Sequence, residues 1–239
     1  MIVIPFGGIS NRLKCIISAV AEHDDITLKW EIPTTGGGIR CNFSDLFTNL
    51  YLGDGGTLIK DCKFIHNEMN THNSGDKGDI NEVMKAKYIS VIEDLTPTEY
   101  IMNEVERLFN ELPKNYSTVS VRTFRSFKEE YQSWGQHFKL DLLFNELDTI
   151  DNQFLLTCDD RATLEQIKSR YGDKVITTPK RTEFGDFRSV KGMEDIMIDL
   201  LLGGKGKNIY GTAMSSFSEM QWWMGKCEAE YKQMKLHVK

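Results

Sequence analysis

From about residue 113 onward, short apolar runs alternate with amphipathic stretches of ten or so residues, and this alternation constrains the fold more than any other feature. Residues 118–122, 154–157, 174–176 and 208–210 read as strands, and 140–147, 162–171, 193–202 and 217–224 as helices. Strands separated by helices of that length pack as a parallel sheet with helices on both faces. The first part of the chain follows the same rhythm less regularly. Residues 2–6 and 26–30 read as strands, and Leu13, Ile16, Ile17, Val20 and Ala21 recur at helical spacing over about 11–23. Residues 43–47 start a short helix capped by Ser44 or Asp45, 52–80 are polar surface loops, and 87–92 return to strand character. Thr96-Pro97-Thr98 then opens a helix with Ile101, Val105, Leu108 and Phe109 on one face, stopping at Pro113. The expected organisation is two Rossmann-like halves, residues 1–112 and 113–239, facing a cleft.

Composition narrows the partners. The 239 residues are 40% hydrophobic and 27% charged, enough to bury a sizeable core. Against 35 acidic side chains stand 29 Lys and Arg, a net charge of −6 that makes duplex nucleic acid a poor partner by bulk charge. Five scattered cysteines, an odd number without a CxxC pair, argue against a disulfide framework or a zinc site and favour a reducing compartment. The N-terminal apolar run has no basic flank before it and does not read as a signal peptide. No stretch approaches 18 uninterrupted apolar residues, so no transmembrane segment is expected, and the expected location is cytoplasmic.

In open α/β sheets, ligands bind beyond the carboxyl ends of the strands. Four such ends carry polar or Gly-rich segments. Gly7-Gly8-Ile9-Ser10-Asn11-Arg12 permits close backbone approach ahead of a helix, or is a tight turn with Asn11 as its cap. It is neither a GxGxxG fingerprint nor a Walker loop. Arg122 ends a buried strand, where a guanidinium needs an anionic partner, either a phosphate or a structural carboxylate. Thr157-Cys158-Asp159-Asp160 caps a helix or accepts hydrogen bonds from a ribose or base. Met214-Ser215-Ser216-Phe217-Ser218 offers hydroxyls beside free backbone N–H groups, a phosphate nest or a plain N-cap. Gly203-Gly204-Lys205-Gly206-Lys207 is only a turn, since a Walker lysine would be followed by Ser or Thr and Lys207 is followed by Asn208.

In their order these pieces resemble the fucosyltransferase-like group of type-B glycosyltransferases, which includes protein O-fucosyltransferases, core α1,6-fucosyltransferases and bacterial nodulation fucosyltransferases. Gly8-Ile9-Ser10-Asn11-Arg12 is similar to the group's opening Gly-x-x-Asn-Arg/Gln loop, and Trp30 with Phe43-Ser44-Asp45-Leu46-Phe47 to its next segment. Ser120-Val121-Arg122-Thr123 matches its His-x-Arg-Arg motif, with Ser120 in place of the His and Thr123 in place of the second Arg. Phe154-Leu155-Leu156-Thr157-Cys158-Asp159-Asp160, Asp199 on a Leu-rich helix, and the Ser215-Ser216-Phe217-Ser218 loop match its later motifs.

The resemblance implies a GT-B-like α/β fold and an inverting transfer of a sugar, L-fucose from GDP-fucose by first assignment, to a hydroxyl of a carbohydrate or glycoprotein acceptor. It implies catalytic roles for Arg122 and Asn11, and donor contacts from Gly8, Arg12, Ser120, Asp160, Asp199, Ser215, Ser216, Phe217 and Ser218. Asp199 would meet the guanine, and Arg122 the β-phosphate. No metal and no cofactor beyond the donor is expected, because a guanidinium and a helix N-terminus can meet the leaving group's charge. Glu129, Glu130 and His137, in the segment after the Arg122 strand, are the possible general bases. Two alternatives stand beside this one: a type-B enzyme using another nucleotide sugar, and an inactive sugar- or nucleotide-binding scaffold.

Overall fold

The computed structural model describes residues 2–5, 7–23, 26–32, 38–48, 82–126 and 128–238. Strand β1 (Ile2–Val3) leads through a Gly7-Gly8 turn into helix α1 (Ile9–Glu22), and β2 (Thr27–Leu28) returns parallel to β1. A 3-10 turn (Phe43–Asp45) precedes α2 (Glu82–Asp94) and α3 (Glu99–Glu111). The rest is β3 (Ser117–Val121), α4 (Lys128–Ser133), α5 (Leu140–Leu147), β4 (Phe154–Cys158), α6 (Arg161–Tyr171), β5 (Val175–Ile176), α7 (Val190–Gly204), β6 (Asn208–Thr212), α8 (Ser216–Met224) and β7 (Glu230–Met234). Its five strands form one parallel sheet in the order β5-β4-β3-β6-β7, separate from the β1-β2 pair.

Alternation along the central strands explains the layering. Val119 and Val121 of β3, with Phe154 and Leu156 of β4, pack on Leu143 and Leu147 of α5 and Ile167 of α6. The opposite face carries Leu155, and Thr118 there donates its hydroxyl to the Gly203 carbonyl at 2.7 Å. That face belongs to a second buried cluster, which runs through α7 and α8 to α1, α2 and α3 by way of Met197, Trp223, Ile16, Tyr88 and Ile101. Burial at every position of β3 follows from having neighbours on both edges and helices on both faces.

Several local expectations change. Residues 87–92 are helical: Tyr88 and Ile92, four apart, are the buried positions of α2, and the Tyr88 ring meets Trp223 edge-on at 5.6 Å. Gly8, not Asn11, caps α1, with no side-chain bond. The 3-10 turn is capped by Asn42 in a reciprocal pair with Asp45, whose carboxylate accepts the Asn42 N–H at 2.6 Å. Gly203 and Gly204 complete α7 instead of forming a turn, and Gly204 lies so close to Gly225 that a Cβ on it would stand 2.7 Å from the Gly225 nitrogen. Phe109 is exposed at 41%, with the Lys205 ammonium 4.9 Å from its ring centroid. Strand β7 and the short α4 were not anticipated, and the loops expected over 52–80 lie outside the described residues.

Candidate functional site

The loops after β1, β3, β4, β5 and β6 open into one cleft of about 1340 Å³. This is where parallel strand order brings carboxyl ends together. The first turns of two helices border it. Gly7, Gly8, Ile9, Ser10 and Asn11 line one wall at the start of α1, and Ser215, Ser216 and Phe217 line another at the start of α8. Two non-glycine residues in its lining hold left-handed backbone, Phe124 at φ 57° and Met214 at φ 65°. Such conformations cost of order 1–3 kcal/mol each and persist only where surrounding structure imposes them.

Arg122 lies just past the end of β3. Its backbone N–H donates to Thr212 Oγ1 at 2.9 Å, tying it to β6. The guanidinium donates from Nη1 to Asp159 Oδ2 at 2.9 Å and from Nη2 to Glu130 Oε2, and stands 5.1 Å from the Phe124 ring centroid. Asp159 is itself fixed, accepting the N–H groups of Thr123 at 2.7 Å and Phe124 at 3.2 Å. The structural-carboxylate partner anticipated for Arg122 is therefore present twice over. The side chain nevertheless lines the cleft and is 23% exposed.

Asp199 is buried on α7 and also faces the cleft. It accepts the Thr178 hydroxyl on Oδ1, and Lys180 Nζ lies 2.5 Å from Oδ2. Lys180 donates in turn to Thr178 Oγ1 at 2.6 Å. A turn away, Asp195 receives the backbone N–H and Nε of Arg181, both at 2.8 Å, which pins the segment after β5 against α7.

Of the remaining sequence candidates, Ser120 lines the cleft and accepts the Thr157 hydroxyl at 3.2 Å. Ser215 caps α8, and Ser218 is turned inward, its hydroxyl donating to the Ser215 carbonyl at 3.0 Å. Asp160 caps α6 through the Thr163 N–H at 2.9 Å and does not line the cleft. Arg12 is buried behind the Gly7-Gly8 turn. Its Nε donates to the Gly7 carbonyl at 3.2 Å and its Nη2 to the Glu31 carbonyl at 2.9 Å, with Cζ 4.4 Å from the Trp30 ring centroid. Burial holds its pKa below the usual arginine value. Glu130 lines the cleft; His137 does not, and the side chain of Glu129 lies outside the described residues.

Sequence reasoning missed Thr178 and Lys180, which carry no periodicity and stand in a polar loop; only their position two and four residues after β5 marks them. Among the described residues, no group of three or more His, Cys, Asp or Glu side chains is placed to hold a metal ion. No helix there is long and apolar enough to cross a membrane.

No family model matches the chain, and no curated protein does. Solved structures do. NodZ α-1,6-fucosyltransferase soaked with GDP-fucose is 15% identical, with 93% of this chain and 92% of that one covered and a TM-score of 0.56. An Arabidopsis thaliana FUT1 mutant in complex with GDP is 11% identical, with coverage of 100% and 70% and a TM-score of 0.56. POFUT1 in complex with GDP is 12% identical, with coverage of 98% and 97% and a TM-score of 0.52. With its parallel sheets and a cleft at the carboxyl ends of their strands, the chain has the fucosyltransferase-like GT-B fold.

Proposed function

We propose that the chain is an inverting glycosyltransferase that moves a sugar from a nucleoside diphosphate, GDP-fucose by first assignment, to a hydroxyl of a glycan or glycoprotein acceptor. One observation carries this reading: Arg122, the N-terminus of α8 and Asp199 line the same cleft, which suits a diphosphate flanked by a base. Solved structures of like fold hold GDP or were soaked with GDP-fucose. Residues 113–239 would form the donor half and 1–112 the acceptor side.

In this mechanism the acceptor oxygen attacks C1 as the bond from C1 to the diphosphate oxygen breaks, and the bonding pair leaves on the diphosphate. Arg122 and the N–H groups of Ser216 and Phe217 meet that growing charge without need of a metal ion. Asp159, fixed by backbone N–H groups, keeps the guanidinium oriented. Glu130 is the exchangeable partner. A donor phosphate that takes over Arg122 Nη2 leaves the Glu130 carboxylate to accept the acceptor's proton. Asn11 and Gly8, which line the same cleft at the start of α1, would border the sugar and the acceptor.

Ser120 in place of the group's histidine favours a second reading, a type-B transferase for a different nucleotide sugar. Calorimetric titration with GDP, GDP-fucose, GDP-mannose and UDP-sugars separates the two. Tightest binding by GDP-fucose supports the first reading and tightest binding by another donor the second. No binding by any of them leaves only the scaffold alternative.

A further inference from the structure

We infer that Lys180 is a specificity-determining residue for the nucleobase, reading an oxygen at the purine 6 position while Asp199 reads the N–H groups beside it. The inference rests on the nucleotide-sugar reading of the cleft and adds to it the residue that selects the base.

Leu156, Met193 and Ile196 line the cleft together with Asp199 and offer apolar surface to an aromatic base, while Thr178, Lys180 and Asp199 offer polar atoms. These last three form a closed triangle. The ammonium touches Oδ2 of Asp199 at 2.5 Å and the threonine hydroxyl oxygen at 2.6 Å, and that hydroxyl donates to Oδ1. Each carboxylate oxygen is thus engaged once and keeps lone-pair capacity for another donor. The ammonium has three N–H bonds, of which the triangle uses two.

The triangle therefore leaves an incoming base one unused donor on Lys180 and two acceptors on Asp199. Guanine presents the complement along its Watson–Crick edge, with O6 an acceptor and N1–H and the 2-amino group donors. Adenine reverses the first two positions, bringing its 6-amino group against the ammonium. Uracil matches the first two but sets its O2 against a carboxylate oxygen. Lys180 is also the more exposed corner of the triangle. Its side chain is 41% exposed against 12% for Asp199, so it can adjust to O6 while the carboxylate stays fixed by Thr178.

The test is calorimetric titration of the full chain with three ligands: GDP, inosine diphosphate, which keeps O6 and N1–H but lacks the 2-amino group, and the diphosphate of 2-aminopurine riboside, which lacks both O6 and N1–H. A hydrogen bond to a charged donor predicts that Lys180→Met weakens GDP and inosine diphosphate by roughly 10–100-fold and the 2-aminopurine ligand by less than about 3-fold. Lys180→Arg, which keeps a donor, should retain most of the preference for GDP over the 2-aminopurine ligand. Thermal melting checks that both variants remain folded. Undiminished GDP binding by Lys180→Met overturns the inference, and so does equal weakening of all three ligands, which would make Lys180 a general attractor of the diphosphate. In either case the nucleotide-sugar reading stands. A wild-type chain that binds none of the three overturns the guanine-nucleotide form of that reading, and the inference with it.

Discussion

Lys14 Nζ of α1 lies 2.6 Å from Glu219 Oε2 of α8, and both side chains are fully buried. The ion pair joins positions 205 residues apart, one turn inside each of the two helices whose N-termini face the cleft. Burial lowers the Lys14 pKa and raises that of Glu219 to about 7, so desolvation outweighs attraction at the carboxylate. Removing one partner leaves the other buried without its opposite charge. Lys14→Met or Glu219→Leu alone should cost about 3–5 kcal/mol of stability, and the double variant should recover most of that loss. Denaturant titration of the three variants checks the cycle.

The same pair sets a pH dependence. A carboxyl raised from its ordinary 4.5 to about 7 binds its proton more tightly in the folded chain than in the unfolded one. Its contribution to stability is therefore fully present below about 4.5 and is lost as pH rises through about 7. Glu219→Gln does not titrate. The stability of wild type relative to this variant should fall between pH 4.5 and 7, as followed by thermal melts in matched buffers; a flat difference would contradict it.

Arg122→Ala should lower kcat by roughly two to three orders of magnitude with a smaller change in donor KM, because charge on the leaving diphosphate grows toward the transition state. Arg122→Lys should recover only part, since a point charge does not reproduce the planar fork. Stability should change by no more than about 2 kcal/mol. Asp159 keeps its bonds from the Thr123 and Phe124 N–H groups when the guanidinium is gone. Steady-state kinetics with GDP-fucose, beside a melting curve, separates this outcome from a purely structural role.

Asp199→Ala should weaken guanine nucleotides more than uridine nucleotides, because the carboxylate accepts two N–H bonds from a guanine edge and meets an acceptor on uracil. Competition between GDP and UDP on wild type and variant reads the ratio directly. Equal loss for both bases would place the base elsewhere.

Activity should survive a chelator. If Arg122 and the amides of α8 meet the leaving-group charge, EDTA should leave turnover within about 2-fold. Activity lost in chelator and restored by Mn²⁺ would show that these groups do not suffice.

Much of the sheet and its helices was legible because period and length agree. Helix α5 starts and stops where Leu140, Leu143 and Leu147 indicate, and β3, β4 and β6 are short segments built around apolar or β-branched residues. Residues 87–92 were misread because an apolar run that short fits a strand as well as a helix, and only the packing of Tyr88 and Ile92 on one flank decides. Strand β7 escaped notice because Glu230, Tyr231, Lys232 and Gln233 show no apolar alternation at a sheet edge. The site was legible in part for a related reason. Asp159 and Asp160 are identical neighbours, yet one orients Arg122 and the other caps α6, a division made by backbone direction alone. Lys180 was invisible because its partner lies on α7, and nothing in the spacing of the two announces that they meet.

The passage of α8 onto α1 has a consequence for any attempt to study the halves separately. Residues 113–239 contain the whole five-stranded sheet, and a truncation there would look self-sufficient on paper. Cut free of the first 112 residues, the fragment would bare Met220 and Trp223 to water and leave the Glu219 carboxyl with no ammonium beside it. It would lose solubility and the geometry of the phosphate-facing end of α8 together. The first helix is in this sense a stave of the donor wall, although the chain lays it down before any of that wall's strands.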